Sequence, residues 1–194
     1  MTPRFSDKVH PPEYLDHDLN RHFDALLRFD SIDALKAAEL HEVIEVEAER
    51  ILNAVVYEEF SDARPESDNN REISALAWNI ERGIVFDGIV SALRDHEGLS
   101  HKDVLLLTEL DHGMARSSNR FVAKEIASAL GLNYAFAPVY IALQKGSGVE
   151  AEAKGDNTRS IHGLSMFSKW PMRNIRAVPL PNGKDKMWGK EKRL

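Results

Sequence analysis

The 194-residue sequence contains no cysteine, and this absence excludes several classes of protein. A disulfide-stabilised scaffold, a catalytic thiol and a zinc or iron–sulfur site with cysteine ligands all need residues that the chain lacks. No run approaches the roughly 18 consecutive apolar residues that cross a bilayer, so the sequence predicts no transmembrane segment. The first residues also lack the apolar stretch of a secretory signal, and we therefore expect a soluble, cytoplasmic protein.

Charge is divided unevenly along the chain, although the formal net charge is only −6. Residues 1–70 carry 7 basic and 17 acidic side chains, whereas residues 71–194 carry 18 basic and 14 acidic ones. Such asymmetry favours two regions with different roles, and the mildly basic region would tolerate a polyanionic ligand better. We therefore predict an acidic helical extension and linker over 1–70, followed by a second domain over 71–194.

The acidic region has the periodicity of amphipathic helices. Apolar residues recur at spacings of three, four and seven between residues 31 and 60, which predicts a helix with its N-cap at Ser31. A shorter helix is expected over 18–29, and the polar residues 61–70, interrupted by Pro65, are expected to form a linker. Packing and solubility are the simplest role for this extension, and the alternative is a partner-docking surface.

The region after residue 72 alternates between strand and helix patterns. Strands are predicted at 73–79, 103–109, 133–143, 161–167 and 175–178, and helices at 87–95 and 119–130. Gly131 is expected to end the second helix, and Ser117 or Ser118 to cap its start. This alternation predicts a layered domain of the α/β (α+β) class.

Polar residues follow the apolar parts of the first two predicted strands. Asn79 and Glu81 come at the end of one strand, and Glu109 follows the near-continuous apolar run of the next. Ligands of layered α/β folds collect at the carboxyl ends of strands, and a buried carboxylate is costly unless it is paired or binds a metal. The alternative is purely structural, with a helix cap at Asn79 and a salt bridge at Glu109.

The sequence resembles the endonuclease/exonuclease/phosphatase superfamily in three motifs that occur in the family's order. They are Trp-Asn-Ile-Glu at 78–81, Asp-Val-Leu-Leu-Leu-Thr-Glu-Leu-Asp at 103–111 and Gly-Leu-Ser-Met-Phe-Ser-Lys-Trp-Pro-Met at 163–172. The resemblance implies the first half of a DNase I-like four-layer αββα sandwich, here preceded by the α-helical extension. It also implies metal-dependent hydrolysis of a phosphoester, whether in nucleic acid, phospholipid or sugar phosphate.

The resemblance also implies roles for individual residues. By position, Glu109 resembles the family's metal-binding glutamate, and Asn79 resembles the asparagine that shapes the metal and phosphate site. Glu81 falls where some members have a second acidic group. The implied cofactor is Mg²⁺ or Mn²⁺; Mg²⁺ prefers oxygen ligands and needs only one or two carboxylates beside substrate phosphates.

Three further residues are candidates for the same site. His162 is expected to join Asn79 and Glu109 as a catalytic residue, and Arg116 and Asn119 are expected to bind the substrate phosphate. The alternatives stay open: Arg116 and Asn119 could anchor the next helix, and His162 could be a packed histidine.

The second half of the family's fold carries motifs that this sequence does not contain, a Gly-Asp-x-Asn motif and a terminal Ser-Asp-His motif. We therefore expect a truncated domain whose first sheet is left uncovered and which is inactive by itself. A missing C-terminal half or a second chain would complete the sandwich. The alternative is a non-catalytic remnant that acts as a protein-interaction module.

Overall fold

One mixed β-sheet organises the described part of the chain, which is residues 8–63 and 72–178 of a computed structural model. Its strands are β1 (Val9–His10), β2 (Val55–Glu58), β3 (Ala75–Arg82), β4 (Val104–His112), β5 (Asn133–Ile141) and β6 (Ile161–Ser168). The α-helices are α1 (Phe23–Leu26), α2 (Ile32–Lys36), α3 (Glu39–Leu52), α4 (Phe86–Asp95) and α5 (Val122–Leu130). The strand order is β1-β2-β5-β6-β4-β3, with parallel pairs at both edges and antiparallel pairs between them. This is a mixed fold of the α+β class.

Apolar side chains on one face of the sheet form the core together with the helices. Alternation along β4 puts Leu105 and Leu107 on this face, where they are 3% and 1% exposed, and the register aligns Leu105 with Phe167 of β6. Tyr134 and Phe136 of β5 are fully buried in the same cluster. Helix α3 packs against β5, and α5 packs against both β4 and β5.

Residues 8–63 contribute strands to this sheet as well as helices. The predicted helix over 31–60 is wrong in its last part, because α3 ends at Leu52 and the segment Val55–Glu58 is a strand. That segment pairs with β5 through Val56 and Phe136. Val55 and Val56 fit a helical stripe, but β-branched residues are equally suited to a strand. The segment is a strand because the backbone of β5, which is distant in sequence, pairs with it.

The other helical predictions for the first part of the chain are confirmed with shorter bounds and one break. The single helix predicted from Ser31 is two helices, α2 and α3, because the backbone of Ala38 between them is extended. The hydroxyl of Ser31 accepts a hydrogen bond from the backbone N–H of Ala34, so Ser31 is the N-cap of α2. The helix expected over 18–29 is the short α1, preceded by a 3₁₀ turn over Leu19–His22. Asp16 connects this part to the rest of the chain through an ion pair with Arg159 at 2.8 Å.

Most strands and helices predicted after residue 72 are confirmed, with boundaries shifted by a few residues. Gly131 ends α5 in the left-handed conformation, at a φ of 64°. The predicted serine cap of α5 is wrong, since the helix begins at Val122 and no side chain caps it. Ser118 and Asn119 have φ of 59° and 55°, and helical residues need a φ near −63°, so the helix cannot begin at Asn119.

The opposite face of the sheet is open over β3, β4 and β6. Register puts Ala77, Leu106 and Met166 side by side on this face, and the last two remain 45% and 39% exposed. The predicted strand over 175–178 is wrong, because only Ala177 makes an isolated bridge there. Ala177 and Ile175 pack on the neighbouring part of the same face, formed by β2, β5 and β6. The described residues therefore leave an apolar strip of sheet exposed.

One sequence-based prediction lies partly outside the described residues. The linker expected over 61–70 is described only as far as Ala63, so the predicted domain division at residue 70 falls outside the structure's described ranges. Within those ranges, no helix combines the length and the apolar character needed to cross a membrane.

Gly163 of β6 lies where a larger residue would collide with β5. A Cβ atom at Gly163 would be 2.4 Å from the carbonyl oxygen of Ala137 and 2.5 Å from the ring of Phe136. We expect Gly163→Ala to lower the free energy of unfolding by about 2 kcal/mol, because neither neighbour can move aside easily. Gly98→Ala is the matched control, since its nearest neighbour is the His96 ring at 3.5 Å. Urea denaturation measures both changes, and an equal loss in the two variants would contradict the prediction.

Candidate functional site

The parallel neighbours β3 and β4 end side by side and carry three of the predicted site residues. Nδ2 of Asn79 donates a hydrogen bond to Oε1 of Glu109 over 2.9 Å. The backbone N–H of Glu81 donates to Oδ1 of Asn79 over 3.0 Å. Asn79 and Glu81 are exposed, and Glu109 is half-buried. The structure therefore brings these three residues together at the carboxyl ends of the two strands.

The backbone around this pair adopts an uncommon conformation. Glu81, Arg82 and Glu109 all have positive φ, at 48°, 67° and 59°, and the pairing of β3 with its neighbour shifts register beside them. Residues with a Cβ atom rarely occupy this region, which costs about 1 kcal/mol or more for each of them. Such strain concentrates at functional sites, because the surrounding structure must hold it in place.

A second cluster surrounds the buried carboxylate of Asp111, which is 0% exposed. Nε and Nη2 of Arg116 donate to its two oxygens over 2.8 and 2.9 Å, and Nδ1 of His162 lies 2.8 Å from Oδ1. Burial by itself raises the pKa of Asp111, but the hydrogen bonds from Arg116 and His162 outweigh burial and hold this pKa below its ordinary value. Asp111 is therefore an ionised group inside the protein.

Glu150 extends this cluster to the end of β3. Its carboxylate contacts Nη1 of Arg116 and Nη1 of Arg82, each over 3.0 Å. The ring of Tyr140 stacks on His162, with 4.7 Å between the ring centroids. Burial lowers the pKa of Arg116, but its bonds to Asp111 outweigh that effect and raise the pKa above the ordinary value. Side chains from β3, β4, β5, β6 and the 3₁₀ segment Gly148–Glu152 thus meet in one network.

The Asn79–Glu109 pair and the Asp111 cluster lie at the same end of the open face. Thr108 is aligned with Asn79 on β3, and Asp111 is aligned with His162 on β6. The register shift between Thr108 and Leu110 makes Glu109 an extra residue, so Thr108 and Asp111 emerge on the same face of the sheet. Two carboxylates separated by one residue therefore differ in environment, with Glu109 near solvent and Asp111 enclosed.

Arg116 and Asn119, the residues predicted to bind phosphate, make ion pairs and hydrogen bonds within the protein through their side chains. The side chain of Arg116 is 5% exposed, and its charge is matched by Asp111 and Glu150. Nδ2 of Asn119 donates to the carbonyl of Asp156 over 2.9 Å, and its Oδ1 accepts from the backbone N–H of Thr158 over 3.1 Å. These contacts favour the anchoring alternative for both Arg116 and Asn119.

Sequence reasoning missed four residues of the network: Arg82, Asp111, Tyr140 and Glu150. Asp111 had a detectable signal, because it follows Glu109 at the end of an apolar run where a second buried carboxylate needs a partner. Glu150 had no such signal in the sequence, because it lies in a polar segment 34 residues from Arg116.

The described residues contain no group of three or more His, Cys, Asp or Glu side chains that could hold a metal ion. Glu109 and the exposed Glu81 are the acidic residues at the ends of β3 and β4 that remain near solvent.

The two neighbouring carboxylates of β4 should respond differently to the same change. We expect Asp111→Asn to lower the free energy of unfolding by about 3 kcal/mol or more, because it leaves the buried Arg116 without its full counter-charge. Glu109→Gln is the matched variant and should change it by about 0.5 kcal/mol or less, since its side chain is half-buried and accepts one neutral hydrogen bond. Urea denaturation at pH 7 measures both, and a similar loss in each would contradict this distinction.

The contribution of Asp111 to stability should also depend on pH in the acid range. Because its folded pKa lies below the ordinary value of 3.8, its stabilisation is complete above that value and is lost as the pH falls through the lower folded pKa. The unfolding free energy of Asp111→Asn should therefore depend less on pH below about 4 than that of the wild type. Urea denaturation curves recorded between about pH 2 and about pH 5 measure this difference. Parallel curves for the two proteins would contradict the assignment.

Comparison with known proteins adds no family assignment. No model of a protein family matches the chain, and no curated protein or solved structure matches it either. Function is therefore inferred from the geometry of the described residues.

Proposed function

We propose that this chain belongs to a metal-dependent hydrolase of phosphate esters, with Asn79 and Glu109 at its reaction site. The observation that carries this proposal is the 2.9 Å hydrogen bond between them, which joins the carboxyl ends of two parallel strands. An isolated strand-terminal glutamate is weak support, and the orienting amide of Asn79 and the positive φ of Glu81 and Glu109 add to it.

Mg²⁺ or Mn²⁺ fits the donor set at this point of the fold. Glu109 would hold the ion, with the exposed Glu81 as a second acidic group and water or substrate phosphate as the other ligands. When bound, the ion supplies a positive charge that stabilises the phosphoryl oxygens and the leaving oxygen.

The protein's own groups orient the side chains of the site. Asn79 receives the N–H of Glu81 on its oxygen and donates its amide to Glu109, so the amide cannot flip without losing both bonds. An ionised Asp111 only accepts hydrogen bonds, so Nδ1 of His162 must donate to it. Nε2 is then the ring nitrogen that remains for another contact.

The proposal includes a second layer over the open face of β3, β4 and β6. The DNase I-like resemblance implies such a layer, and the exposed Leu106 and Met166 supply an apolar surface for it. That layer would bring the remaining catalytic groups, from residues outside the described ranges or from another chain. Nucleic acid, phospholipid and sugar phosphates all stay within the proposal.

Metal binding tests the proposal on the chain itself. We expect Mn²⁺, titrated by electron paramagnetic resonance, to bind the wild type and to bind Glu109→Gln at least tenfold more weakly. Glu97→Gln is the control, because Glu97 is exposed in the turn that precedes β4, at the other end of the sheet. Equal binding by all three proteins would remove Glu109 from the metal site.

Activity supplies the second test. In the protein completed by its second layer, with Mg²⁺ or Mn²⁺ present, we expect hydrolysis of bis(p-nitrophenyl) phosphate to fall about 10²-fold or more in Glu109→Gln, and to be unchanged in Glu97→Gln. Single-stranded DNA, sphingomyelin vesicles and an inositol phosphate then distinguish the substrate classes. Full activity of Glu109→Gln would exclude the proposed mechanism.

A non-catalytic interaction module is the second candidate, and the exposed apolar strip favours it. If association through this strip is the function, Leu106→Lys should abolish complex formation, whereas Glu109→Gln should leave it unchanged. Sedimentation velocity over a concentration series detects self-association through the strip. Metal binding that depends on Glu109 would favour the hydrolase over the module.

A further inference from the structure

A large cavity lies between the helices of residues 19–52 and the polar network at the strand ends. Its volume is about 1070 Å³, just above the usual range for small-molecule sites. One wall is apolar and includes Phe23, Leu26, Leu35 and Ile44. Each of these four side chains is also part of the main core, so the wall is built on the packed part of the protein.

The opposite wall is polar and includes Arg82, Arg116, Tyr140 and Glu150. Its charges cancel, because the two guanidinium groups face the carboxylates of Glu150 and Asp111. Nη1 of Arg82 pairs with Glu150, but the buried Nε of Arg82 has no hydrogen-bond partner among the described residues. An unpaired buried donor is unfavourable, and a ligand oxygen that accepted its hydrogen bond would remove this cost.

The rim of the cavity is acidic. Asp30 and Asp33 line it beside the apolar wall, and no described basic side chain other than Arg82 and Arg116 lines it. A carboxylate or phosphate ligand would meet two acidic side chains at the rim and two already neutralised arginines inside. A ligand without net charge avoids both the repulsion at the rim and the cost of burying a charge beside arginines that are already neutralised.

We propose that this cavity binds an uncharged single-chain amphiphile. Its apolar chain would lie along Phe23, Leu26 and Leu27, and an ester or amide carbonyl oxygen would accept a hydrogen bond from Nε of Arg82. Hydroxyl groups on such a ligand can donate to Glu150, which accepts from both arginines. Neither Asn79 nor Glu109 lines the cavity, so the proposal does not depend on the proposed phosphoester hydrolysis.

Calorimetric titration with monodecanoyl glycerol, below its critical micelle concentration, tests the proposal. We expect saturable binding of one molecule per chain, and at least tenfold weaker binding of decanoate at pH 8, because decanoate carries the charge that the rim disfavours. Absence of binding, or tighter binding of decanoate, would overturn the proposal.

Variants locate the ligand. Arg82→Met retains the length of the side chain without its donors and should weaken binding of monodecanoyl glycerol about tenfold. Leu27→Gln, at a 47%-exposed position that lines the cavity, should also weaken it. Val43→Gln is the matched control, since Val43 is 58% exposed on α3 and does not line the cavity. Circular dichroism establishes that each variant is folded.

Leu106→Lys distinguishes the cavity from the open face of the sheet. Binding that survives Leu106→Lys but weakens in Leu27→Gln and Arg82→Met supports the cavity. Binding lost in Leu106→Lys and retained in Leu27→Gln would place the amphiphile on the open face and overturn the proposal.

Discussion

The burial of one negative charge, on Asp111, sets the arrangement of the polar end of this fold. A carboxylate with no solvent exposure requires partners, and the chain supplies a bidentate guanidinium from Arg116 and an imidazole from His162. Arg116 in turn needs Glu150, and Glu150 also holds Arg82. These partners come from different strands and from the segment after β5. The ion pairs and hydrogen bonds that compensate the charge of Asp111 therefore connect most of the sheet.

The acidic first part of the chain is joined to the same sheet by directional contacts. Oδ1 of Asn133 accepts the backbone N–H groups of both Phe60 and Ser61, just after β2 ends. Nζ of Lys124 on α5 pairs with Glu58 over 3.1 Å. The difference in charge between the two parts of the sequence therefore does not correspond to a separation in space among the described residues. Acidic side chains lie on the outside of α3, while its apolar stripe packs on β5.

Glu109 and Asp111 lie two residues apart on β4, but one is a candidate functional residue and the other has a structural role. Asp111 is enclosed and matched in charge, whereas Glu109 stands near solvent with one neutral partner and a strained backbone. A residue whose contacts do not explain its conformation is a better candidate for chemistry than one whose contacts do. This contrast, and not the mere presence of acidic side chains, directs the functional proposal to Glu109.

The sequence by itself determined the alternation of strands and helices after residue 72, the N-cap at Ser31 and the position of Asn79 and Glu109 near the carboxyl ends of β3 and β4. These follow from local periodicity and capping, which neighbouring residues control. Only the tertiary structure decided that Val55–Glu58 is a strand, because its partner β5 lies far along the chain. The same holds for Ser118 and Asn119, whose left-handed backbone prevents a helix from starting there, and for the Arg82–Glu150–Arg116 bridge. Long-range hydrogen bonds and charge pairing decided these features, and no local pattern encodes them.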